Sequence, residues 1–561
     1  MSQEEFKQYP HTICGIIDKW AEKTPDKEAF VVYDTEKSYT YKEFRTNIDV
    51  MAYKLYNMGF RKGDIVVTSL PFLAEHIFLG YACAKLGVMW TPLDLRLKPP
   101  EIMRALGTLK EKAKMYCHLG KTDAANFGMI GAAVKKNNQW LDYVVQFSDP
   151  DDRYREGIIP AYEISEEAQK EYKDAMQNPE SMKDFRNECA KVGPKDPIMI
   201  VFTTGSTGLP KPAMLKNEGI VCQNMCLSKA FGLDPKDKMI VNLPPSHVGG
   251  TTEQFMTTLF GGGTAIVLHI FDAEKTLDAV QKYKATVMGQ IPALYNMEWR
   301  LPNYSEYDLS SLRFVICAGQ SVDRPFLKKL KEMAPTIGGG LGLTETSGFC
   351  SYIQVEENWE DFVVGLGHDY PIYPMSIREP MKDDGTAGEE LPKGETGIIC
   401  YKGPQTFVGY FGQEEKTKET LSEDGYVFTG DMGYIGDDGL HLEGRRKFMI
   451  KPKGYQVFPP EVEAFIAEMP EVESVGVVGA KHEVYSEGII AYIKVKEGET
   501  LTKEEVMEHC KGMAAYKRPS LIVFIDEFPL NRVSKTDYVA LNDRVEEDIE
   551  EARAEGKWDA S

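Results

Sequence analysis

The chain lacks a long uninterrupted apolar run. Its best membrane candidate, residues 72–90, contains Glu75, His76 and Lys85 and reads as a core helix, so no membrane span is expected. The start, Met1-Ser2-Gln3-Glu4-Glu5, has neither a basic region nor an apolar stretch, which is not the pattern of a signal peptide. Ten cysteines are scattered without a Cys-x-x-Cys pair. Cys222 and Cys226 stand four apart on an expected helix, but no nearby His/Cys pair completes a zinc site, so reduced thiols and a cytoplasmic location are expected. Basic residues are outnumbered, with Lys+Arg 65 against Asp+Glu 86 and a net charge of −21. That balance argues against nonspecific binding to nucleic acid or to anionic lipid, so an anionic ligand must meet a local positive site. There is no internal repeat and no low-complexity tract.

What is present fits a soluble globular protein, with 42% hydrophobic and 27% charged residues. At 561 residues the chain is too long for one core and suggests two or three domains. Short apolar runs, at 64–70, 198–202, 239–243, 264–268, 285–289 and 313–317, read as buried strands. Amphipathic stretches such as 273–284 and 325–333 read as helices between them. The alternation predicts an α/β fold, a large N-terminal domain of doubly wound, mostly parallel sheets. Ligands in such sheets bind at the carboxyl ends of strands. The charged segment 163–191 reads as a solvated helical surface without chemistry. After about residue 443 short strands (474–478, 488–495, 521–525) and helices (460–468, 503–513) predict a small α+β C-terminal domain.

The most informative run is Val201-Phe202-Thr203-Thr204-Gly205-Ser206-Thr207-Gly208-Leu209-Pro210-Lys211. Its glycines let consecutive N–H groups curl toward one anion, its hydroxyls add donors, and Lys211 adds a charge. Delivered by an apolar strand, it is a polyphosphate cradle, though not with Walker spacing. Companions follow in order: Leu341-Gly342-Leu343-Thr344-Glu345, Gly425-Tyr426-Val427-Phe428-Thr429-Gly430-Asp431, Gly444-Arg445-Arg446-Lys447, Lys451-Pro452-Lys453-Gly454-Tyr455-Gln456-Val457, Tyr516-Lys517-Arg518-Pro519 and Asn531-Arg532-Val533-Ser534-Lys535. In this order they resemble the adenylate-forming superfamily of acyl-CoA synthetases, peptide-synthetase adenylation domains and luciferases, over nearly the whole chain.

The resemblance implies an AMP-forming acyl-CoA synthetase with ATP, Mg²⁺ and coenzyme A, split into residues 1–446 and a mobile domain of residues 447–561 hinged at Lys447. It makes Lys535 the lysine of adenylation, where an ammonium between carboxylate and α-phosphate favours the transition state. Thr203, Thr204, Gly205, Ser206, Thr207, Gly208 and Lys211 would hold the phosphates. Glu345 and Thr204 would face Mg²⁺, and Thr344 the α-phosphate. Leu341 and Gly342 would flank the adenine, with Leu341 replacing an aromatic. Asp431 would accept the ribose hydroxyls with support from Arg445. His247, Val248, Gly249, Gly319 and Gly342 would line the acyl pocket. Acetate-specific relatives carry Trp where Gly342 stands, so a larger acid is expected: medium-chain, branched, alicyclic or aromatic. Lys453, Gly454 and Tyr455 would line the pantetheine tunnel. Pro212, Phe448 and Ser534 also depart from the family pattern.

Two rivals remain open. An aryl- or amino-acid adenylating enzyme would load a carrier protein. An amino-acid pocket would want a buried acid, and none stands convincingly near 202–207 or His247. The absence of a carrier domain favours CoA. A catalytically inactive nucleotide-binding regulator is disfavoured by Lys211, Glu345, Asp431 and Lys535. The chemistry is reversible, and neither the oligomeric state nor the acid follows from the sequence.

Overall fold

The computed structural model describes the chain except residues 123–124, 204–209, 320–321, 323, 357–361, 363–364, 446–447, 453–456, 483–485, 531–535, 555–557 and 559–561. Its contacts divide into two compact units. One takes most of Met1–Met375 together with Tyr401–Val427. The other takes Ser376–Cys400 and Phe428–Ser561.

The first unit is built on two eight-stranded sheets. In the first sheet, strands Thr336–Gly339, Phe314–Cys317, Val287–Gln290, Lys238–Val241, Thr264–Val267 and Glu28–Val32 run parallel in that spatial order. Antiparallel edges, Ile353–Val355 and Lys37–Thr40, close its two sides. In the second sheet, Pro197–Thr203, Met89–Pro92, Ile65–Ser69, Ala113–Leu119, Tyr143–Phe147 and Ile159–Pro160 run parallel. Lys211–Lys216 and Gly409–Tyr410 then add two antiparallel strands beside Pro197–Thr203. Strands such as Ile65–Ser69 and Thr264–Val267 are buried throughout, which is why they read as continuous apolar runs and not as alternation.

Helices join the parallel strands as expected. Ala273–Tyr283 is capped by Asp272, whose carboxylate accepts from Lys275 N at 2.9 Å, and it buries Leu277, Ala279 and Val280. The apolar stretch near 72–90 becomes the buried helix Ala74–Leu86 followed by Met89–Pro92. Among the described residues no helix is long and apolar enough to cross a membrane.

Several boundaries move for identifiable reasons. The strand expected at 285 starts at Val287, because Lys284 turns left-handed (φ 53°) and Ala285 N–H still closes the helix on Val280 O. The strand expected to run through Leu243 stops at Val241, because the N–H groups of Asn242 and Leu243 both donate to Gln254 Oε1, at 3.2 and 3.1 Å. The segment at 163–191 forms two helices, Ala161–Met176 and Pro179–Cys189. It is more than a solvated surface: Glu167 and Glu171 accept from the buried Lys54 ammonium at 2.7 and 2.6 Å. A buried cation left without such partners would be strongly destabilising.

The second unit holds a four-stranded sheet, Met375–Arg378, Gly397–Tyr401, Val427–Gly436 and Gly439–Arg445. It also holds a three-stranded sheet in which the hairpin Val472–His482 and Ser486–Val495 pairs with the parallel strand Leu521–Phe524. Helices Pro459–Ile466 and Tyr538–Ala554 supply Val462, Ile466, Leu541 and Val545 to its core. Between them Glu463 is half-buried, accepting from Tyr538 Oη at 2.7 Å and Val477 N at 2.8 Å, and desolvation pushes its carboxyl up to about 7. All ten cysteines are free thiols, eight of them buried.

Candidate active site

In the first unit Thr203, His247 and Gly319 follow or end parallel strands. Thr203 is the last residue of its strand, and its buried hydroxyl has no hydrogen-bond partner among the described residues. Thr204, Gly205, Ser206, Thr207 and Gly208 lie outside the described residues. The chain returns antiparallel, and register sets Lys211 directly opposite Thr203. The next strand brings Tyr410 alongside, and the Lys211 ammonium lies 4.4 Å from the centre of its ring. Tyr410 Oη donates to Glu345 Oε1 at 2.6 Å. Burial, and then the Glu345 carboxylate, push the Tyr410 phenol well above its ordinary range, so it stays a donor.

Glu345 sits in the short 3₁₀ turn Thr344–Thr346, carried by the hairpin of Gly342–Leu343 and Gly348–Phe349. Its carbonyl accepts from Phe407 N at 3.0 Å. The turn ends at Ser347 in the left-handed region (φ 59°), a conformation that costs a residue other than glycine about 1 kcal/mol. Bonds from outside hold it there: Thr252 Oγ1 donates to Ser347 O at 2.8 Å, and Ser347 Oγ to Gln405 O at 3.2 Å. Leu341 N–H, just before the hairpin, is held by Ser351 Oγ at 3.0 Å.

The acyl-side candidates follow the first sheet. His247 and Val248 lie in the loop after strand Lys238–Val241 and lead into a π-helical segment, Gly249–Met256. Such segments break the regular ladder and recur at functional sites. Gly250 is required there, since a Cβ would stand 2.5 Å from Leu243 O and Pro244 O. Gly319 follows strand Phe314–Cys317 at φ 95°. Asp94, after strand Met89–Pro92 of the second sheet, interacts electrostatically with His247, so the carboxyl ends of the two sheets meet. Burial raises the Asp94 carboxyl, but hydrogen bonds from Arg96 and the nearby His247 outweigh it and hold it below its usual range.

Glu253 was not foreseen. It follows His247 by six residues without standing out there, yet its carboxyl lies among the candidate acyl-side glycines: a Cβ on Gly342 would lie 3.2 Å from its Oε1, and one on Gly249 3.6 Å from its Oε2. Burial pushes it up to about 8, with the Phe349 N–H pulling the other way. Only the π-helical turn aims it here, and spacing along the sequence carries no sign of that.

In the second unit, Asp431 and Arg445 are register partners on neighbouring strands. Arg445 Nε lies 2.8 Å from the buried Asp431 Oδ1. Asp431 N–H is held by Thr429 Oγ1 at 3.1 Å. Lys447, Lys453, Gly454, Tyr455 and Lys535 lie outside the described residues. Among the described residues no group of three or more His, Cys, Asp or Glu could hold a metal by itself.

Residues 17–411 match the AMP-binding enzyme family, and residues 461–535 match the AMP-binding enzyme C-terminal domain. The chain belongs to the AMP-binding enzyme family. It is 26% identical to the mitochondrial medium-chain acyl-CoA ligase ACSF2 of Bos taurus over 558 residues, covering 96% of this chain and 88% of that protein. It is 27% identical to 4-coumarate–CoA ligase 4 of Arabidopsis thaliana, covering 88% and 84%. In fold it superposes on ATP-bound MatB from Rhodopseudomonas palustris with a TM-score of 0.76 at 23% identity, covering 94% and 98%. The family match and these relatives place this AMP-binding enzyme among the AMP-forming acid–thiol ligases.

Proposed function

We propose that this protein is an AMP-forming carboxylate–CoA ligase acting on a medium-chain, branched, alicyclic or aromatic acid. The observation that carries the reading is the Lys211–Tyr410–Glu345 cluster at the edge of the second sheet, next to the strand that delivers the hydroxyl-rich loop. Lys211 offers a cation to the β,γ-phosphates with the hydroxyls of Thr203, Thr204, Ser206 and Thr207. Glu345 offers a hard carboxylate oxygen held in place by Tyr410, which fits Mg²⁺ completed by phosphate oxygens and water. When bound, Mg²⁺ neutralises phosphate charge. Thr344, beside Glu345, faces the α-phosphate in this reading. Asp431 accepts from the ribose hydroxyls while Arg445 holds the carboxylate in place.

The carboxylate of the acid attacks the α-phosphorus, and pyrophosphate leaves. No general base is needed, because the acid is already ionised. Lys535 stabilises charge gathering between the two anions. His247, Val248, Gly249, Gly319 and Gly342 line the acyl pocket. The thiol of CoA then attacks the acyl carbonyl and AMP leaves. In this proposal Lys447 is the hinge of residues 447–561, and Gly454, flanked by Lys453 and Tyr455, admits the pantetheine arm. Net flux runs toward ATP wherever acyl-CoA, AMP and pyrophosphate accumulate.

Glu253 gives weight to a second reading, an amino- or aryl-acid adenylating enzyme with a carrier-protein acceptor. One experiment separates the readings: a panel of carboxylic acids assayed for AMP formation with and without CoA. CoA-dependent AMP release with a matching thioester supports the ligase. Acid-dependent pyrophosphate exchange with neither AMP release nor a thioester when CoA is added supports the carrier reading, and no acid-dependent exchange defeats both.

A further inference from the structure

The acyl-side wall contains a polar pair that the adenylation chemistry does not use. Glu253 is half-buried in the interior of the first unit, so it borders a space that solvent reaches. Its carboxyl lies between Gly249 and Gly342. Among the described residues its hydrogen-bond donor is the Phe349 N–H. The fully buried Gln223 points its amide at the same spot. Its Cδ lies 3.1 Å, and Glu253 Oε1 2.9 Å, from where a Gly348 Cβ would stand. Gln223 Oε1 accepts from Asn224 at 2.8 Å, while Gln223 Nε2 has no partner among the described residues. An unsatisfied buried amide beside a carboxyl is costly to maintain for packing alone.

We propose that Glu253, with Gln223, selects an acid whose acyl part carries a hydrogen-bond donor, a hydroxyl or an amine. The inference rests on the reading that Gly249 and Gly342 line the acyl pocket. A hydroxyl donates to the Glu253 carboxyl and accepts from Gln223 Nε2, so both groups are satisfied at once. An amine donates to the same carboxyl. A plain hydrocarbon acid seals both polar groups away from water without partners, and sites built this way reject the analogue that lacks the group.

The test uses the full-length protein and ATP–pyrophosphate exchange with matched acids: benzoate against its hydroxy and amino isomers, and hexanoate against its hydroxy and amino derivatives. In the wild type at least one donor-bearing acid exceeds its parent in kcat/KM by roughly tenfold or more. In Glu253→Leu that ratio falls to about one, and Glu253→Gln, which keeps shape and a hydrogen-bonding amide, retains part of the hydroxyl preference and loses the amine preference. Thermal unfolding confirms that each variant is folded, and the wild-type ratios stand even if a variant is not. Preference for the unsubstituted parents throughout overturns the inference. So does an equal loss for parent and substituted acids in Glu253→Leu, which would make Glu253 a support of the Gly342–Phe349 hairpin. Exchange with parent acids but no donor preference sinks this inference alone, whereas no exchange with any acid sinks the ligase reading beneath it.

Discussion

The two eight-stranded sheets of the first unit share a parallel core and differ in how they finish. The second ends in two antiparallel strands that bring Lys211 and Tyr410 side by side, where the Tyr410 hydroxyl reaches Glu345 on a separate hairpin. The first feeds its carboxyl ends into glycine-rich loops and a π-helical turn. They differ also in the ionisable groups they bury. Around the first sheet these are carboxyls, Glu253 and Glu298, each pushed up by burial to about 8. In the second they are imidazoles, His76 and His118, each pushed down by burial to about 4. His76 is satisfied as a neutral ring, with one nitrogen on Pro71 O at 2.8 Å and the other near Thr68 Oγ1 and Trp90 Nε1. These carboxyls and imidazoles are thus held neutral near neutral pH by opposite shifts. In the proposed reading one sheet edge handles charge and the other selects the acid.

That division breaks most visibly at the residue assigned to neither side. If Lys535 stands between the acid carboxylate and the α-phosphate, Lys535→Ala slows adenylation by on the order of 10²–10³-fold. Thioester formation from supplied acyl-adenylate is much less affected. Equal loss in the two half-reactions would count against the assignment.

Gly342→Trp sharpens the acyl side. A Cβ here already stands 3.2 Å from Glu253 Oε1 and 3.3 Å from the backbone of Gly348 and Phe349, so the indole must occupy the space in front of the hairpin. Acids larger than propionate lose roughly 10–10²-fold in kcat/KM relative to acetate, the scale of filling a pocket by several carbons. Unchanged specificity would place the acyl chain elsewhere.

Tyr410→Phe sharpens the phosphate side with a smaller effect. It removes a hydrogen bond to a carboxylate, worth about 1.5–3 kcal/mol, and leaves Glu345 less constrained. The KM for MgATP rises by on the order of tenfold while the ranking of acids stays put. A change in acid ranking would mean that the two sheet edges are not separable.

Much of this was legible in the sequence because local chemistry dictated it. Continuous apolar runs gave the parallel strands, and the amphipathic stretch at 273–284 gave a helix. The order of short motifs pointed to the family. What stayed hidden depends on long-range placement. Tyr410 is 65 residues from Glu345, and only the packing of a separate hairpin against the sheet edge brings them together. Glu253 sits in the Gly/Thr-rich segment Gly249–Met256, where a helix of ordinary pitch would aim it differently. The partners of Lys54 looked like an idle charged surface until Glu167 and Glu171 were seen to reach it across more than a hundred residues.

The smallest effect concerns stability and tests the contrast in buried ionisable groups. Glu298, on the helix after strand Val287–Gln290, is fully buried and accepts from Gln290 Nε2 at 2.8 Å. Its other oxygen and Gln290 Oε1 both lack partners among the described residues, and a protonated carboxyl supplies the donor that an ionised one lacks. Burial raises its folded-state value from 4.5 to about 8, so its stabilising protonation is complete below pH 4.5 and is lost as pH rises through 8. The imidazoles are lowered from 6.5 to about 4, so they contribute fully above pH 6.5 and are lost only as pH falls toward 4. Between pH 6.5 and 8 the histidines are therefore silent and the buried carboxyls alone erode stability, Glu298 by about 1–2 kcal/mol across that window. Glu298→Gln keeps the shape, offers the missing donor and cannot ionise. It should flatten the fall of Tm between pH 6.5 and 8 and raise Tm by a few °C at pH 8, with little gain at pH 5. Scanning calorimetry at these pH values decides it. A gain of equal size at pH 5 and pH 8 would show that the substitution acts by packing and that Glu298 does not titrate in this range.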